Sequence, residues 1–171
     1  MSRVYIGIGS NIDPERNILE AVRQLQCSLH LTSVSTFYLT EPECYPDQPK
    51  FINGVVSAET DLSPEDLKFN VLRCIEARLG RRRGDNKYAP RTIDLDILLY
   101  DQLIVQSDNL VIPDPDIFNR PFYAIPLCEL QPDLVLPGSG VPLCDLAKRF
   151  SKHNMTPLPE LTKALRAELA K

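Results

Sequence analysis

An antiparallel sheet with helices packed on it, an α+β domain, is what this 171-residue chain predicts, and three observations carry the expectation. Strand-like apolar stretches, most of them alternating with polar residues, run from Val4 to Ile8, from Leu31 to Leu39, from Phe51 to Thr60 and from Ile93 to Tyr100. Two stretches of helical period, Ile18 to Leu25 and Leu67 to Ile75, separate the first strand from the second and the third from the fourth. The order strand, helix, strand, strand, helix, strand is that of a ferredoxin-like split β-α-β sandwich with its helices on one face. A hydrophobic content of 43% suits one core of ordinary size.

In chain order, Val4 to Ile8 is a short buried strand ended by the turn cluster Gly9-Ser10-Asn11, which lacks the glycine spacing and the lysine of a phosphate loop. Asp13 then caps a helix that has Pro14 at its first position and Ile18, Leu19, Val22 and Leu25 on one face, ending near Cys27. Leu31 to Leu39 reads as one strand. The loop from Glu41 to Lys50 holds Pro42, Pro46 and Pro49, which restrict a long connection of the kind that carries function. On the third strand Phe51 and Asn53 share a face. Such a pair either stacks on and hydrogen-bonds a flat heterocycle or is a core Phe beside a turn-stabilising Asn. Ser63-Pro64-Glu65-Asp66 begins a helix with Leu67, Val71, Leu72 and Ile75 as its buried stripe and Gly80 as its stop.

A net charge of −4 argues against a general nucleic-acid binder, so an anionic ligand must meet local positive charge. That charge is concentrated in Arg81-Arg82-Arg83-Gly84-Asp85-Asn86-Lys87, directly before the fourth strand. There Asp94 and Asp96, two apart, point the same way. Two such carboxylates repel unless a cation lies between them, and the alternatives are a polar outer face on an edge strand or a magnesium site completed by phosphates. Arg91 favours the second, as a guanidinium can hold a phosphate that the metal also touches. Pro90 fixes the entry of the chain into the strand.

Beyond Tyr100, Gln102 to Val105 is expected to pair with the preceding strand, Phe122 to Leu127 to be a final strand or a buried helix start, and Leu143 to Phe150 to be a helix. Residues 1–150 form the domain. Residues 151–171 form a loosely attached tail with a short helical pattern from Leu161 to Leu169. Cys27, Cys44, Cys74, Cys128 and Cys144 are odd in number and lack C-x-x-C spacing, and no secretory signal precedes Val4, so reduced thiols in the cytoplasm are expected. No apolar run reaches the length of a membrane span.

The run Ala89-Pro90-Arg91-x-x-Asp94-Leu95-Asp96-Ile97-Leu98 resembles the signature of the 6-hydroxymethyl-7,8-dihydropterin pyrophosphokinases of folate synthesis. Thr40-x-Pro42, Asp47-Gln48-Pro49-x-Phe51-x-Asn53 and Gly80-Arg81 resemble further family segments in the right order, so the likeness extends from about Val4 to Gly138. The resemblance implies transfer of pyrophosphate from ATP to the hydroxymethyl group of a reduced pterin, releasing AMP. Asp94 and Asp96 would bind two magnesium ions, and Arg81 and Arg91 would offset charge on the phosphates. Arg83, Tyr88, Ile97 and Arg120 would join them on the ATP side, with Tyr88 on a mobile loop. Phe51 and Phe122 would sandwich the pterin, Asn53 would read its edge, and Thr40, Pro42 and Cys44 would line it. A monomer with small-molecule partners, and neither nucleic acid nor membrane, is implied. The chain departs from the family pattern at Asp114-Pro115-Asp116, where His-Pro-x is common, and at Cys44, where glycine is frequent. Both acids are expected to face the nucleotide and weaken its binding, the alternative being a loop that swings them away and leaves Arg120 or Lys87 to take over. A non-catalytic pterin or nucleotide binder is a rival reading, opposed by the intact Asp94, Asp96, Arg81 and Arg91. A metal-dependent phosphohydrolase is another, and no water-activating base stands out for it.

Overall fold

A computed structural model describes residues 1–44, 46–150 and 154–171. Strand β1 (Ser2–Ser10) occupies the middle of the sheet, antiparallel to β4 (Phe51–Thr60) on one side and to β5 (Asp94–Tyr100) on the other. Beyond β4 lie β2 (His30–Val34) and β3 (Tyr38–Thr40), both antiparallel to it. Helix α1 (Pro14–Gln26) joins β1 to β2. The second crossover runs through α2 (Pro64–Asp66), a π-helical segment (Leu67–Leu72) and α3 (Arg73–Arg78). This is the split β-α-β order expected of a ferredoxin-like fold. Ser63 caps α2 by accepting from Asp66 N at 3.1 Å, and Gly80 at φ 81 ends the helical run. Asp13 stands at the start of α1 with φ 42, but its side chain makes no cap bond; Asn17 N donates to its backbone carbonyl instead.

The stretch from Leu31 to Leu39 is two strands, because Phe37 turns its backbone away from the ladder. Its N–H donates to Thr162 Oγ1 at 2.9 Å and its carbonyl accepts from Leu158 N at 2.8 Å. The Phe37 ring is fully buried over Gly54, where a Cβ would fall 2.5 Å from it.

Helices cover both faces of the sheet, whereas one face was expected. Val4, Ile6 and Ile8 of β1 and Leu95 and Ile97 of β5 pack with Ile18, Val22 and Leu25 of α1 and with Leu67, Leu72 and Ile75. On the opposite face Tyr5, Val55 and Leu98 meet Tyr123, Ala124 and Leu127 of α4 (Pro121–Leu130) and Leu143 and Leu146 of α5 (Leu143–Lys148). The apolar stretch Phe122 to Leu127 is thus a buried helix. Apolar residues nearly all round it suit a helix enclosed by sheet and α5, and they conceal its period.

The hairpin of β6 (Val105–Gln106) and β7 (Val111–Ile112) closes on itself and does not extend β5 as expected. Asp101 at φ 47 and a bond from Leu103 N to Tyr100 O at 3.0 Å turn the chain off the sheet first. Cys128 and Cys144, expected reduced, form a disulfide with S–S 1.99 Å. The packing of α4 on α5 brings their Cα atoms to 5.3 Å, a proximity that a sequence separation of 16 does not advertise. Cys27, Cys44 and Cys74 are free and exposed.

The tail boundary expected at Ser151 lies outside the described residues. From Asn154 onward the segment is built into the fold and is not loose. Strand β8 (Met155–Pro157) pairs with β3, and α6 (Pro159–Leu169) buries Thr162 and Leu165, while Arg23 of α1 reaches Glu168 at 3.1 Å. No helix among the described residues is long and apolar enough to cross a membrane.

Because Leu165 is fully buried between α1 and the sheet, Leu165→Ala is expected to cost about 2 to 5 kcal/mol in urea unfolding. A change below about 0.5 kcal/mol, the scale of an exposed site, would show that the tail does not contribute to the core.

Candidate functional site

The site forms where β1 ends and β4 and β5 begin, on the face that α4 covers. The antiparallel register sets Asn53 and Asp94 on either side of Gly9, and Asp96 beside Gly7. They border a cavity of about 350 Å³, a volume within the range of small-molecule sites. Gly9 must lack a side chain, since a Cβ there would sit 2.4 Å from Asn53 Oδ1. Asn53 is buried and donates through Nδ2 to Thr40 Oγ1 at 2.8 Å, which fixes its amide across the neighbouring strand.

Opposite Asn53 the charges interlock. Asp94 accepts from Arg81 Nη1 at 2.5 Å and from Arg91 Nη1 at 2.7 Å. Arg81 also pairs with Glu76 of α3, a carboxylate only 2% exposed that takes Arg83 at 2.9 Å and lies 3.7 Å from Arg73. Burial pushes Glu76 up to about 7 against the pull of Arg81. Asp96 accepts from the Tyr123 hydroxyl at 2.7 Å, and burial, reinforced by the charge of Asp94, pushes it up to about 8. Arg120 spans the far side, 3.6 Å from Glu43 and 3.5 Å from Asp116, with its guanidinium 5.6 Å from the Phe122 ring centre.

One amide joins the two loops that border the cavity. Asn11, 2% exposed, donates to Gln48 Oε1 at 3.0 Å and Pro49 O at 3.2 Å, and its own Oδ1 accepts from Arg91 N at 2.9 Å. Gln48 Nε2 then donates to Tyr88 O at 2.6 Å.

Thr40, Phe51, Asn53, Arg81, Arg83, Tyr88, Arg91, Asp94, Asp96, Arg120 and Phe122, drawn from distant parts of the sequence, all line this cavity. Pro42, Cys44 and Ile97 do not. Ile97 follows Asp96 on β5 and so faces the α1 core at 5% exposure. Cys44 is exposed at φ 63, a conformation that favours glycine. Of the two acids expected to face the nucleotide, only Asp116 reaches the cavity, and Arg120 pairs with it. Asp114 instead caps the short 3-10 turn Pro115–Phe118 through Asp116 N at 2.9 Å. Glu76, Asn11 and Tyr123 escaped the reading of the sequence. Asn11 stood in an ordinary turn cluster and Tyr123 in an apolar run, while Glu76 had a signal in the arginines that follow it by five and seven positions.

A family model described as 7,8-dihydro-6-hydroxymethylpterin-pyrophosphokinase (HPPK) matches residues 5–132. The chain is 41% identical over 162 residues to the 2-amino-4-hydroxy-6-hydroxymethyldihydropteridine pyrophosphokinase of Haemophilus influenzae, covering 92% of this chain and 99% of that relative. It is 40% identical over 141 residues to the protein of the same name from Pseudomonas aeruginosa, covering 80% and 85%. Among solved structures, the HPPK-DHPS triple mutant of Plasmodium falciparum with pteroate superposes with a TM-score of 0.73 at 13% identity, over 90% of this chain and 46% of that one. The chain thus spans about half the length of that structure, and the likeness bears on the fold alone.

The environment of Asp114 yields a pH test. Burial raises its carboxyl from 3.8 to about 6, so between those values the unfolded chain sheds a proton that the folded chain keeps. Its contribution is therefore most favourable below about pH 4, declines as pH rises to about 6 and is level beyond. Asp114→Asn keeps a competent cap and lacks the decline, so above pH 6 it should exceed the parent in stability by on the order of 3 kcal/mol and match it near pH 4. Urea unfolding of both proteins across this range checks it, and a constant difference at every pH would refute the assignment.

Proposed function

The chain belongs to the 7,8-dihydro-6-hydroxymethylpterin-pyrophosphokinase family, and on that premise we propose that its cavity transfers pyrophosphate from ATP to the hydroxymethyl group of 6-hydroxymethyl-7,8-dihydropterin. The observation that carries this reading is the row Asn53, Gly9, Asp94 across one sheet, which sets an amide suited to a heterocycle's edge and an acidic, arginine-bound centre within one cavity.

Phe51 and Phe122 enclose the pterin ring. Asn53, its nitrogen engaged by Thr40, offers its carbonyl oxygen to a ring N–H. The hydroxymethyl oxygen attacks the β-phosphorus of ATP, the bond from that phosphorus to the bridging α-oxygen breaks, and AMP departs with those electrons while the hydroxyl proton is released. Negative charge shifts toward the departing α-phosphate, and Arg81 and Arg91 meet it. Both are already oriented by Asp94, so little reorganisation is required at the moment of transfer. Arg83, Tyr88 and Arg120 border the same volume and hold the nucleotide side.

Asp94 and Asp96 fit magnesium by their chemistry, being hard oxygen donors side by side on a rigid strand. Two carboxylates two positions apart on one face of a strand repel each other, and a cation between them relieves that repulsion. Among the described residues no third acid, histidine or cysteine joins them, so further positions of two magnesium ions would fall to phosphate oxygens and water. When bound, magnesium neutralises the triphosphate and aligns it for in-line transfer. A monomeric enzyme of the cytoplasm is part of the same proposal.

Incubating the protein with ATP, magnesium and 6-hydroxymethyl-7,8-dihydropterin should yield AMP only when the pterin is present. ATP loss without pterin would indicate a hydrolase, and no turnover a binder; either sinks the reading. Asp94→Ala and Asp96→Ala should abolish turnover in folded protein. Arg81→Ala or Arg91→Ala should lower kcat by about 10²-fold or more, the scale of one preorganised donor, with pterin affinity nearly unchanged. Gly9→Ala should do the reverse, raising the KM for pterin by displacing Asn53, and equal pterin KM in variant and parent would disprove the role of that amide.

A further inference from the structure

Tyr123 is the one residue of α4 whose hydroxyl reaches the acidic pair. Its ring is 4% exposed and lies against the bare backbone of β1, where a Cβ on Gly7 would come within 2.9 Å of Cε1. Its hydroxyl donates to Asp96 Oδ2 at 2.7 Å, and its ring stands edge-on to Phe122 with centroids 5.2 Å apart. Asp94 is held by two arginines. Asp96 forms no ion pair among the described residues, and the phenol supplies the orientation that a guanidinium supplies next door.

From this geometry we propose that Tyr123 is a positioning residue for the metal-holding carboxylate: it fixes Asp96 through Oδ2 and leaves the other oxygen turned to the cavity for a divalent cation. The inference rests on the assignment of magnesium to Asp94 and Asp96. A carboxylate free to rotate must lose that freedom when it takes a cation, whereas one anchored at a single oxygen has already lost it. Hydrogen bonds of this kind to a ligating group are commonly worth about 10- to 100-fold in metal affinity. A phenol suits the position better than a cation would. It donates one directed bond without placing a positive charge beside the ion. The Gly7 hydrogen is what lets the ring approach the strand closely enough to make it.

The alternative is that Tyr123 only fills space between α4 and the sheet, with its hydroxyl satisfied by the nearest oxygen. Tyr123→Phe separates the two, since it keeps the ring and removes the bond. Mn²⁺ serves as a paramagnetic probe, titrated into parent and variant in the presence of a non-hydrolysable ATP analogue and followed by electron paramagnetic resonance. Pterin binding is measured in parallel by fluorescence. The expected result is cation affinity at least about 10-fold weaker in Tyr123→Phe, pterin affinity within about twofold of the parent, and kcat recovering as magnesium is raised. Gly7→Ala, which keeps the hydroxyl but crowds the ring off the strand, should weaken Mn²⁺ binding in the same direction. Unchanged cation affinity in Tyr123→Phe overturns the proposal, as does an equal loss of cation and pterin binding, which marks general loosening. Failure of the parent itself to bind Mn²⁺ with the analogue would instead remove the metal assignment beneath it.

Discussion

The close approach of side chains to the backbone of β1 is the constraint on which the site depends. At Gly7 and Gly9 the central strand presents only hydrogen to the α4 face, so the Tyr123 ring and the Asn53 amide lie directly on it. Neighbouring strands are about 4.8 Å apart, so Asn53 and Asp94, on either side of Gly9, are held about 10 Å apart by hydrogen-bonded sheet. The distance between the buried amide and the arginine-bound carboxylate is thereby built into the stiffest part of the molecule.

That arrangement concentrates charge. Glu76 and Asp94 take Arg73, Arg81, Arg83 and Arg91 between them, and the ion pairs share partners. Arg81 stands between Glu76 and Asp94, which keeps its guanidinium in place from behind as well as from in front. For partly buried charges about 4 Å apart, each pair is worth roughly 1 to 4 kcal/mol, so the burial cost of one carboxylate is comparable with the gain from one arginine. The upward shift of Glu76 despite its arginines shows burial prevailing there.

Much of this was legible in the sequence. The alternation in β5 placed Asp94 and Asp96 on one face, and Ser63 and Gly80 marked the ends of the second helical segment through local cap chemistry. The alternation also shows that Ile97 faces away, although resemblance had placed it at the site. What stayed hidden depends on partners far away in sequence. Phe37 breaks a strand because Thr162, 125 positions on, takes its N–H. Cys128 meets Cys144 because α4 covers a face that alternation alone left open. Asn11 carries the same side chain in an idle turn as in this one, and only the folded loops show its four hydrogen bonds, three through its side chain and one from its backbone N–H to Arg91 O.

Strand β3 is three residues long, too short to hold its alignment by its own ladder, yet it carries the threonine that orients Asn53. Thr40 pairs with Phe51 on one side and with Met155 of β8 on the other. A slip of two residues would keep the same side chains on the same face and still carry the Thr40 hydroxyl about 7 Å along the sheet, out of reach of the amide. Flanked on both sides, the strand cannot slide without breaking two ladders at once. The last strand in the sequence therefore acts as a register lock, and the setting of the Asn53 amide at one end of the sheet depends on a segment more than 100 positions away along the chain.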